Sequence, residues 1–204
     1  QEASALENGW ISSNPAPGTQ TLGYSSTNHA GGTNGEARAS WNRHASTSAS
    51  YYADTQFSRA TTADDYWNAS GKIEIQNPTG SLGDGGFLGF FNSAMDGPGG
   101  ESQNITVAGF SFDEGYWSLS LWQTILGYET GLQRLDSPSV AITADTSLEF
   151  SFDYDPHGGD HGVGLFTGTV GDQQQQIHLN PSHRAALQDR PLDAFGLYRP
   201  AIND

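Results

Sequence analysis

The sequence contains no cysteine, which excludes a disulfide framework and any metal site built from thiolates. Basic residues are also scarce: lysine and arginine number 8 against 23 aspartates and glutamates, and Lys72 is the single lysine. Nucleic-acid binding depends on clustered arginine and lysine at the phosphate groups. The formal charge of −15 therefore argues against nucleic acid and against anionic membranes as partners.

Long apolar runs are missing as well. No segment approaches the roughly 18 consecutive apolar residues that a membrane-spanning helix needs, so we expect no membrane span. No signal peptide is present, and the sequence starts at Gln1. A cysteine-free and strongly acidic chain fits a secreted bacterial protein that its charge keeps soluble. We therefore predict an extracellular location, with a leader that is cleaved or lies outside this sequence.

The residues that are abundant favour β-structure. Glycine occurs 26 times, and serine, threonine, asparagine and aromatic residues replace the alanine, leucine, lysine and glutamate of long helices. Roughly ten to twelve short strands follow one another at regular spacing, with no repeat of fixed period. This pattern predicts an all-β, two-sheet antiparallel sandwich in one domain, residues 1–204, with an extended N-terminal arm over residues 1–22.

The clearest strand signal is a hairpin within residues 147–171. Apolar and polar residues alternate strictly in its first arm. The apolar set is Leu148, Phe150, Phe152 and Tyr154, and the polar set is Glu149, Ser151 and Asp153. Asp155 and Pro156 end this arm, and several glycines follow where the chain reverses. We predict that the apolar side of the hairpin forms the spine between the two sheets.

Other segments carry weaker signals. Residues 87–92 are apolar on both faces, which predicts a central strand covered on both sides. Residues 60–71 read as a loop with exposed aromatic residues, and residues 72–76 as a strand. Residues 182–187 predict one or two helical turns, and residues 193–199 predict the closing strand. Further strands are predicted at residues 36–43, 51–54, 104–112, 116–122 and 173–180.

Four short segments together resemble the concanavalin A-like jelly roll of secreted bacterial proteins, a superfamily that includes laminin-G and legume-lectin domains. They are AGG-x-x-GEA at residues 30–37, GFFNS at residues 89–93, the FDYDPHGG hairpin, and FGLY at residues 195–198. The resemblance lies in their order and covers the chain from about Gly23 onward. It implies two curved antiparallel sheets and a role in binding or cleaving glycans. Lectins, binding modules, hydrolases and lyases share this fold, so the fold does not choose between them.

Hydrolysis is one activity that this resemblance implies. Laminarinase-type members of the superfamily carry three alternating acids on one strand, and Glu149 and Asp153 are similar to two of them, with Ser151 in the middle position. Retaining glycosidases hold their two carboxyl groups about 5–5.5 Å apart. Residues i and i+4 of a straight strand are roughly 13 Å apart at Cα. Strand curvature and side-chain reach would have to close that gap.

A lyase is a second activity that the resemblance implies. Gln176-Ile177-His178 resembles the Gln-x-His strand of alginate-type lyases. In that family an arginine neutralises the uronate and a C-terminal tyrosine moves a proton, roles that Arg38 and Tyr198 would take here. The arginine strand and the tyrosine strand of the family are not otherwise matched. The acidic chain would also repel an anionic substrate.

Calcium is the cofactor that the turn of the hairpin could bind. Calcium takes several oxygen ligands, and Asp153, Asp155 and Asp160 offer carboxylates within a few residues of one another. His157 and His161 would suit zinc on a helix, but this glycine-rich turn does not provide helical geometry. An exposed polar turn explains the same residues without a metal.

Glycan binding without catalysis is the function that we predict. Sugar rings stack on aromatic side chains, while carboxylates, amides and arginine bond the sugar hydroxyl groups. The predicted binding residues are Glu36, Arg38, Asn92, Trp122, Gln176, His178 and Tyr198. We therefore expect a polysaccharide-binding module, alone or within a larger multidomain protein. A polysaccharide-cleaving enzyme is the alternative, and a structural or adhesion domain is the third interpretation.

Overall fold

The computed structural model describes residues 10–12, 21–31, 36–40, 50–55, 61–76, 86–93, 106–113, 115–125 and 131–199. Over these residues the chain forms an all-β sandwich of two antiparallel sheets, which confirms the predicted fold class. No helix in these ranges combines the length and the apolar character that crossing a membrane requires.

Fourteen strands and one helix make up the described part of the chain. In chain order they are β1 (Trp10–Ser12), β2 (Thr21–Ser25), β3 (Glu36–Ser40), β4 (Ser50–Asp54), β5 (Trp67–Ile73), β6 (Gly86–Phe91), β7 (Thr106–Asp113), β8 (Tyr116–Ile125), β9 (Gly131–Asp136), β10 (Val140–Ala141), β11 (Leu148–Asp155), β12 (Leu165–Val170), β13 (Gln173–His178), α1 (Pro181–Gln188) and β14 (Ala194–Arg199). The larger sheet has the order β1-β4-β14-β6-β7-β8-β10, with β9 also paired to β8. The smaller sheet has the order β13-β12-β11-β5, and β2 pairs with β3.

The predicted hairpin forms the two central strands of the smaller sheet. Phe150, Phe152 and Tyr154 of β11 are buried in the main core, as their alternation predicted. The neighbouring strand β12 presents Gly168 opposite Phe152, and a Cβ on this glycine would lie 2.8 Å from Leu119 of the larger sheet. The hairpin therefore packs directly against the larger sheet and contributes to the main core between the two sheets.

Strand β6 is central in the larger sheet and buried along its whole length, which confirms the prediction for residues 87–92. Leu88 and Phe90 face the main core, whereas Phe87 and Phe91 belong to a second apolar cluster on the opposite face of this sheet. We call this second group the outer cluster. Its buried members are Ala53, Phe87, Phe91, Val107, Trp122, Ala194 and Tyr198.

Three glycines lie side by side across the larger sheet. Gly196, Gly89 and Gly109 are register partners on the adjacent strands β14, β6 and β7. A Cβ on Gly89 would lie 2.3 Å from the carbonyl oxygen of Ala108, and one on Gly196 would meet backbone at the same distance. The neighbouring backbones leave no room for a side chain in this row.

Strand β5 corrects the boundary predicted for this region. Residues 60–71 were expected to form a loop, but β5 already begins at Trp67, which is 3% exposed and packs against Tyr154 with ring centroids 4.4 Å apart. The alternation of Trp67, Ala69, Gly71 and Ile73 with polar residues is a strand pattern. The pattern is hard to recognise in the sequence because Ala69 and Gly71 belong to the apolar set, and neither alanine nor glycine indicates a buried face.

The helical turns predicted at residues 182–187 are confirmed as α1. Asn180 caps this helix, since its side-chain oxygen accepts the N–H groups of Ser182 and His183. Pro181 occupies the first helical position, where no N–H is needed. Leu187 is buried in the main core, so α1 closes one end of the sandwich.

Replacing Tyr154 by phenylalanine is expected to lower the free energy of unfolding by about 1 kcal/mol at neutral pH. Its buried hydroxyl donates to the carbonyl oxygen of Ala63 at 3.0 Å, and burial raises the pKa of Tyr154 to about 12. The fold favours the neutral phenol, so this contribution is complete below about pH 10 and is lost as the pH rises through the folded pKa. Urea unfolding at neutral and alkaline pH measures both effects. An alkaline loss equally steep in Tyr154→Phe would contradict this account.

Candidate functional site

The smaller sheet turns one face towards the larger sheet and the other face away from it. Because side chains alternate along each strand, every second residue lies on the second face, and most of these residues are polar. We call this surface the outer polar face. Its members are Asn68, Ser70, Lys72, Glu149, Ser151, Asp153, Thr167, Thr169, Gln174, Gln176 and His178.

The strand register arranges these side chains in rows. Asn68, Asp153, Thr167 and Gln176 are successive cross-strand partners in one row. Ser70, Ser151, Thr169 and Gln174 form the next row along the strands. Neighbouring strands lie about 4.8 Å apart, so each row extends roughly 14 Å across the sheet. The outer polar face thus offers amide, hydroxyl and carboxylate groups at regular spacing on an exposed surface.

An exposed aromatic ring stands at one end of this face. Tyr66 directly precedes β5, at the end of the sheet where β11 finishes, and 66% of its surface is exposed. Its ring lies edge-on to His157, with centroids 6.3 Å apart. Of the two large aromatic side chains that are exposed among the described residues, Tyr66 and Tyr116, Tyr66 adjoins the smaller sheet and Tyr116 lies on the larger one.

The turn between β11 and β12 is held at the same end. Asp155 accepts the N–H of His157 at 2.8 Å, and Gly159 and Gly162 adopt the positive φ that the reversal requires. The N–H of Asp160 donates to Nδ1 of His178 at 3.0 Å, which ties the turn to β13. These bonds fix the turn relative to the outer polar face.

Arg184 of α1 binds the turn between β11 and β12 through hydrogen bonds. Its guanidinium donates to the carbonyl oxygens of Pro156 and Val163, at 2.7 and 3.0 Å, and to the carboxylate of Asp64 at 2.6 Å. One side chain therefore joins the helix, the hairpin turn and the segment that carries Tyr66. Sequence patterns do not reveal this role, because the bonded atoms are mostly backbone carbonyls far away in the chain.

The two carboxylates expected of a hydrolase do share the outer polar face. Glu149 and Asp153 both lie on β11, with Ser151 between them. β11 pairs continuously with β5 from Leu148 to Tyr154, so no bulge shortens the distance between them. Their Cα atoms are thus about 13 Å apart, which does not suit the close carboxyl pair of a retaining mechanism.

The residues of the lyase hypothesis are not brought together. Gln176 and His178 lie on the outer polar face, whereas Tyr198 is 2% exposed in the outer cluster, where its ring packs on Phe91 at 5.1 Å. Both sheets and the main core separate these positions. Arg38 is exposed on β3, outside either large sheet. No shared point is available to a proton-transfer set of these residues.

Three more of the predicted binding residues have structural partners. Glu36 accepts hydrogen bonds from the Thr27 hydroxyl at 2.5 Å and from the Ala30 N–H at 3.1 Å. Burial on its own would raise the pKa of Glu36, but these hydrogen bonds and nearby His29 bring that pKa below its ordinary value. Asn92 donates from Nδ2 to the carbonyl oxygen of Pro191 at 2.7 Å.

Trp122 is the third of these residues, and it is enclosed. It is 6% exposed, with the Phe87 ring 4.7 Å away on one side and the Arg134 guanidinium 4.7 Å above its ring. Arg134 is also paired with Asp136, which accepts a hydrogen bond from Ser120 at 2.6 Å. Arg134 thus covers one face of the Trp122 ring, and the low exposure of the side chain leaves no ring face open to a sugar.

The three aspartates considered for calcium point to different partners. Asp153 lies on the outer polar face, Asp155 caps the turn, and the carboxylate of Asp160 is 3.0 Å from Nδ1 of His178. Within the described ranges, no three or more histidine, aspartate or glutamate side chains are grouped so that they could hold a metal ion.

Sequence reasoning did not identify Asn68, Ser70, Thr167 and Thr169 as members of the site. Part of their signal was present, since Thr167 and Thr169 alternate with buried residues and Asn68 follows the buried Trp67, whereas Ser70 lies between the half-buried Ala69 and the exposed Gly71. No protein-family model and no curated protein matches this sequence. The candidate site therefore rests on the geometry of the outer polar face.

Proposed function

We propose that this chain is an extracellular carbohydrate-binding module that binds polysaccharide on the outer polar face. The observation that carries the proposal is the pair of cross-strand rows, in which amides, hydroxyls and a carboxylate recur across four strands on an exposed surface. Sugar hydroxyl groups both donate and accept hydrogen bonds, so a surface with both kinds of partner suits them. The resemblance to concanavalin A-like proteins supports the same class of ligand.

Each part of the face has a defined role in this proposal. Gln174 and Gln176 supply amide donors and acceptors at the β13 edge, while Asp153 accepts from sugar hydroxyls. Tyr66 provides the ring on which a sugar stacks at the end of the rows. An extended chain lying along a row would contact several strands at once, which suits a polymer better than a single sugar.

The charges of the face favour a neutral polysaccharide. Glu149, Asp153 and Asp155 contribute three negative charges on this side of β11 against the single positive charge of Lys72, and the whole chain carries −15. A polymer rich in uronate or sulfate would be repelled. Binding is preferred over cleavage because Glu149 and Asp153 are far apart and the Gln176, His178 and Tyr198 set is dispersed.

Tyr66→Ala is expected to weaken binding of the recognised polysaccharide about tenfold, which corresponds to ~1.4 kcal/mol. The ligand is found by affinity electrophoresis against a panel of neutral and acidic polysaccharides, and its Kd is then measured by calorimetry. Tyr116→Ala is the matched control, since Tyr116 is 50% exposed but lies on the larger sheet. An equal loss in both variants, or none in either, would place the site elsewhere.

The Gln174→Ala/Gln176→Ala double variant tests the rows themselves. It removes exposed side chains from an edge strand and leaves the core unchanged, so the fold should persist while binding falls. The same polysaccharide panel is assayed for reducing ends and for unsaturated products. Product release that disappears in Glu149→Gln or His178→Ala would replace the binding proposal by an enzymatic one.

A further inference from the structure

The strands at the ends of the two sheets differ in how they resist pairing with another chain. β1 and β10 of the larger sheet are only three and two residues long. β9 carries Arg134 and Asp136, and β5, at one end of the smaller sheet, carries Lys72. Short strands and charged side chains are features with which natural proteins keep exposed edges from pairing. β13, at the other end of the smaller sheet, has neither of them.

β13 is a regular and uncharged edge. Its six residues, Gln173–His178, pair with β12 in an unbroken register, and among the described strands only β12 pairs with it. It contains no acidic residue and no lysine, arginine, proline or glycine, although the whole chain carries −15. Like charges repel two copies of the chain elsewhere on the surface, but not along this strand. A second copy can therefore approach here.

The backbone groups of Gln174, Gln176 and His178 point to the free side of β13. In an antiparallel sheet, alternate residues direct their N–H and C=O groups to one neighbouring strand, and the residues between them to the other. The N–H of Leu179 continues the β12–β13 ladder by donating to the carbonyl oxygen of Gly164 at 2.9 Å. The odd-numbered residues of β13 therefore bond towards β12. The even-numbered ones, whose side chains are exposed, offer their backbone groups to a further strand.

We propose that two copies of this chain pair through β13, antiparallel about a two-fold axis at Gln176, and join their smaller sheets into one. Residues directly opposite each other in an antiparallel pair place their side chains on the same face. With Gln176 opposite the partner's Gln176, Gln174 lies opposite the partner's His178. All the backbone groups that face the free side are then used, in about six hydrogen bonds. The strand is thus complementary to itself, as a two-fold interface requires.

The pairing doubles the outer polar face. The row of Asn68, Asp153, Thr167 and Gln176 ends at β13, so the two-fold axis places the same row of the second copy directly beyond Gln176. At about 4.8 Å per strand, the joined row extends roughly 34 Å, against roughly 14 Å in one copy. This extension of the site rests on the proposed polysaccharide binding, whereas the pairing itself does not. A joined row favours long chains over short oligosaccharides, since both halves can hold one polymer.

Analytical ultracentrifugation tests the pairing, with an expected mass of twice the chain's 21.8 kDa at high concentration. Gln176→Pro is expected to raise the dimer dissociation constant at least about tenfold, because proline lacks the N–H that faces the free side. The bonds to β12 do not involve that N–H, so the monomer should fold. Gln176→Ala is the matched control, since it keeps the N–H and should change the constant by about threefold or less. A wild-type monomer at every concentration, or equal weakening by both variants, would overturn the proposal.

A cysteine variant decides the question if Gln176→Pro does not fold. The chain contains no cysteine, so Gln176→Cys introduces a single thiol. Across the two-fold axis it would lie opposite its own copy with Cα atoms about 5.5 Å apart, a separation that a disulfide spans. Mild oxidation should link Gln176→Cys into covalent dimers much faster than Ser70→Cys, which is exposed on β5 at the other end of the sheet. Equal rates of linkage would contradict pairing through β13.

Polysaccharide binding by the wild-type chain separates this proposal from the preceding one. A dimer that binds none of the polysaccharides keeps the pairing and removes the function, and a monomer that binds them does the reverse. If both proposals hold, the affinity per chain for a long polysaccharide should rise at least about tenfold between concentrations below and above the dimer dissociation constant. The affinity for a short oligosaccharide of the same sugar should not change. An equal affinity for long and short chains at all concentrations would show that the two copies do not form a joined site.

Discussion

Gly89→Ala is expected to lower the free energy of unfolding by about 3 kcal/mol or more, and it is one of the two most damaging substitutions that we foresee. The new Cβ would lie 2.3 Å from the carbonyl oxygen of Ala108 and 2.7 Å from the Cα of Gly109. Both obstacles are backbone atoms of the paired strand, so relief requires that the strands move apart and give up ladder hydrogen bonds. Urea unfolding followed by tryptophan fluorescence measures the loss.

Gly71→Ala is the control for this prediction. Gly71 lies on β5 of the smaller sheet, where a Cβ would meet the ring of Phe150 at 3.0 Å. A ring edge can shift by a few tenths of an ångström, so the expected loss is about 1 kcal/mol or less. Similar losses of unfolding free energy for Gly89→Ala and Gly71→Ala would contradict this prediction. They would show that the close approach of the backbones in the glycine row does not make a side chain there unusually costly.

Arg184→Met is expected to cost about 3 kcal/mol. The variant leaves the carbonyl oxygens of Pro156 and Val163 without their donor, and it releases Asp64 from the helix. Methionine retains much of the apolar length, so the loss reports the hydrogen bonds more than the packing. Hydrogen exchange should become faster in the turn at residues 156–164 than in the core strands.

Arg134→Met is the matched comparison, because Arg134 is also an ion-paired arginine but 44% of its side chain is exposed. Exposed ion pairs contribute about 0–1 kcal/mol, and the cation–π contact of Arg134 with Trp122 adds about 0.5–1 kcal/mol, so this variant should lose clearly less stability than Arg184→Met. If Arg184→Met proved equally mild, the turn would be held by its own glycines and Asp155, and not by the helix. Polysaccharide binding in Arg184→Met would then be unaffected as well.

The alternation of residue types predicted much of the fold. β11 shows this most clearly, since Phe150, Phe152 and Tyr154 are buried in the core and Glu149 and Asp153 face away from it. The continuous apolar run of β6 likewise predicted a strand covered on both sides. A period of two residues follows from the pleat of an extended chain, so it is visible without knowledge of the partners.

Alternation did not distinguish residues that face a ligand from residues that are buried. Gln176, His178 and Tyr198 each adjoin an apolar residue that packs in the main core, and each was predicted to face a ligand. Alternation identifies two faces of a strand, but it does not say whether the polar or mixed face meets solvent or a second apolar layer. Tyr198 faces such a layer and is buried in the outer cluster.

The sequence alone therefore determined the fold class, the β11–β12 hairpin and the exclusion of thiolate chemistry. The tertiary structure decided which sheet each strand joins, and with it that Gln176 and His178 share a face with Asp153 while Trp122 and Tyr198 do not. Strand order depends on pairing between residues that are distant in the chain. Local residue patterns carry no record of that pairing, because a strand presents the same period beside any neighbour.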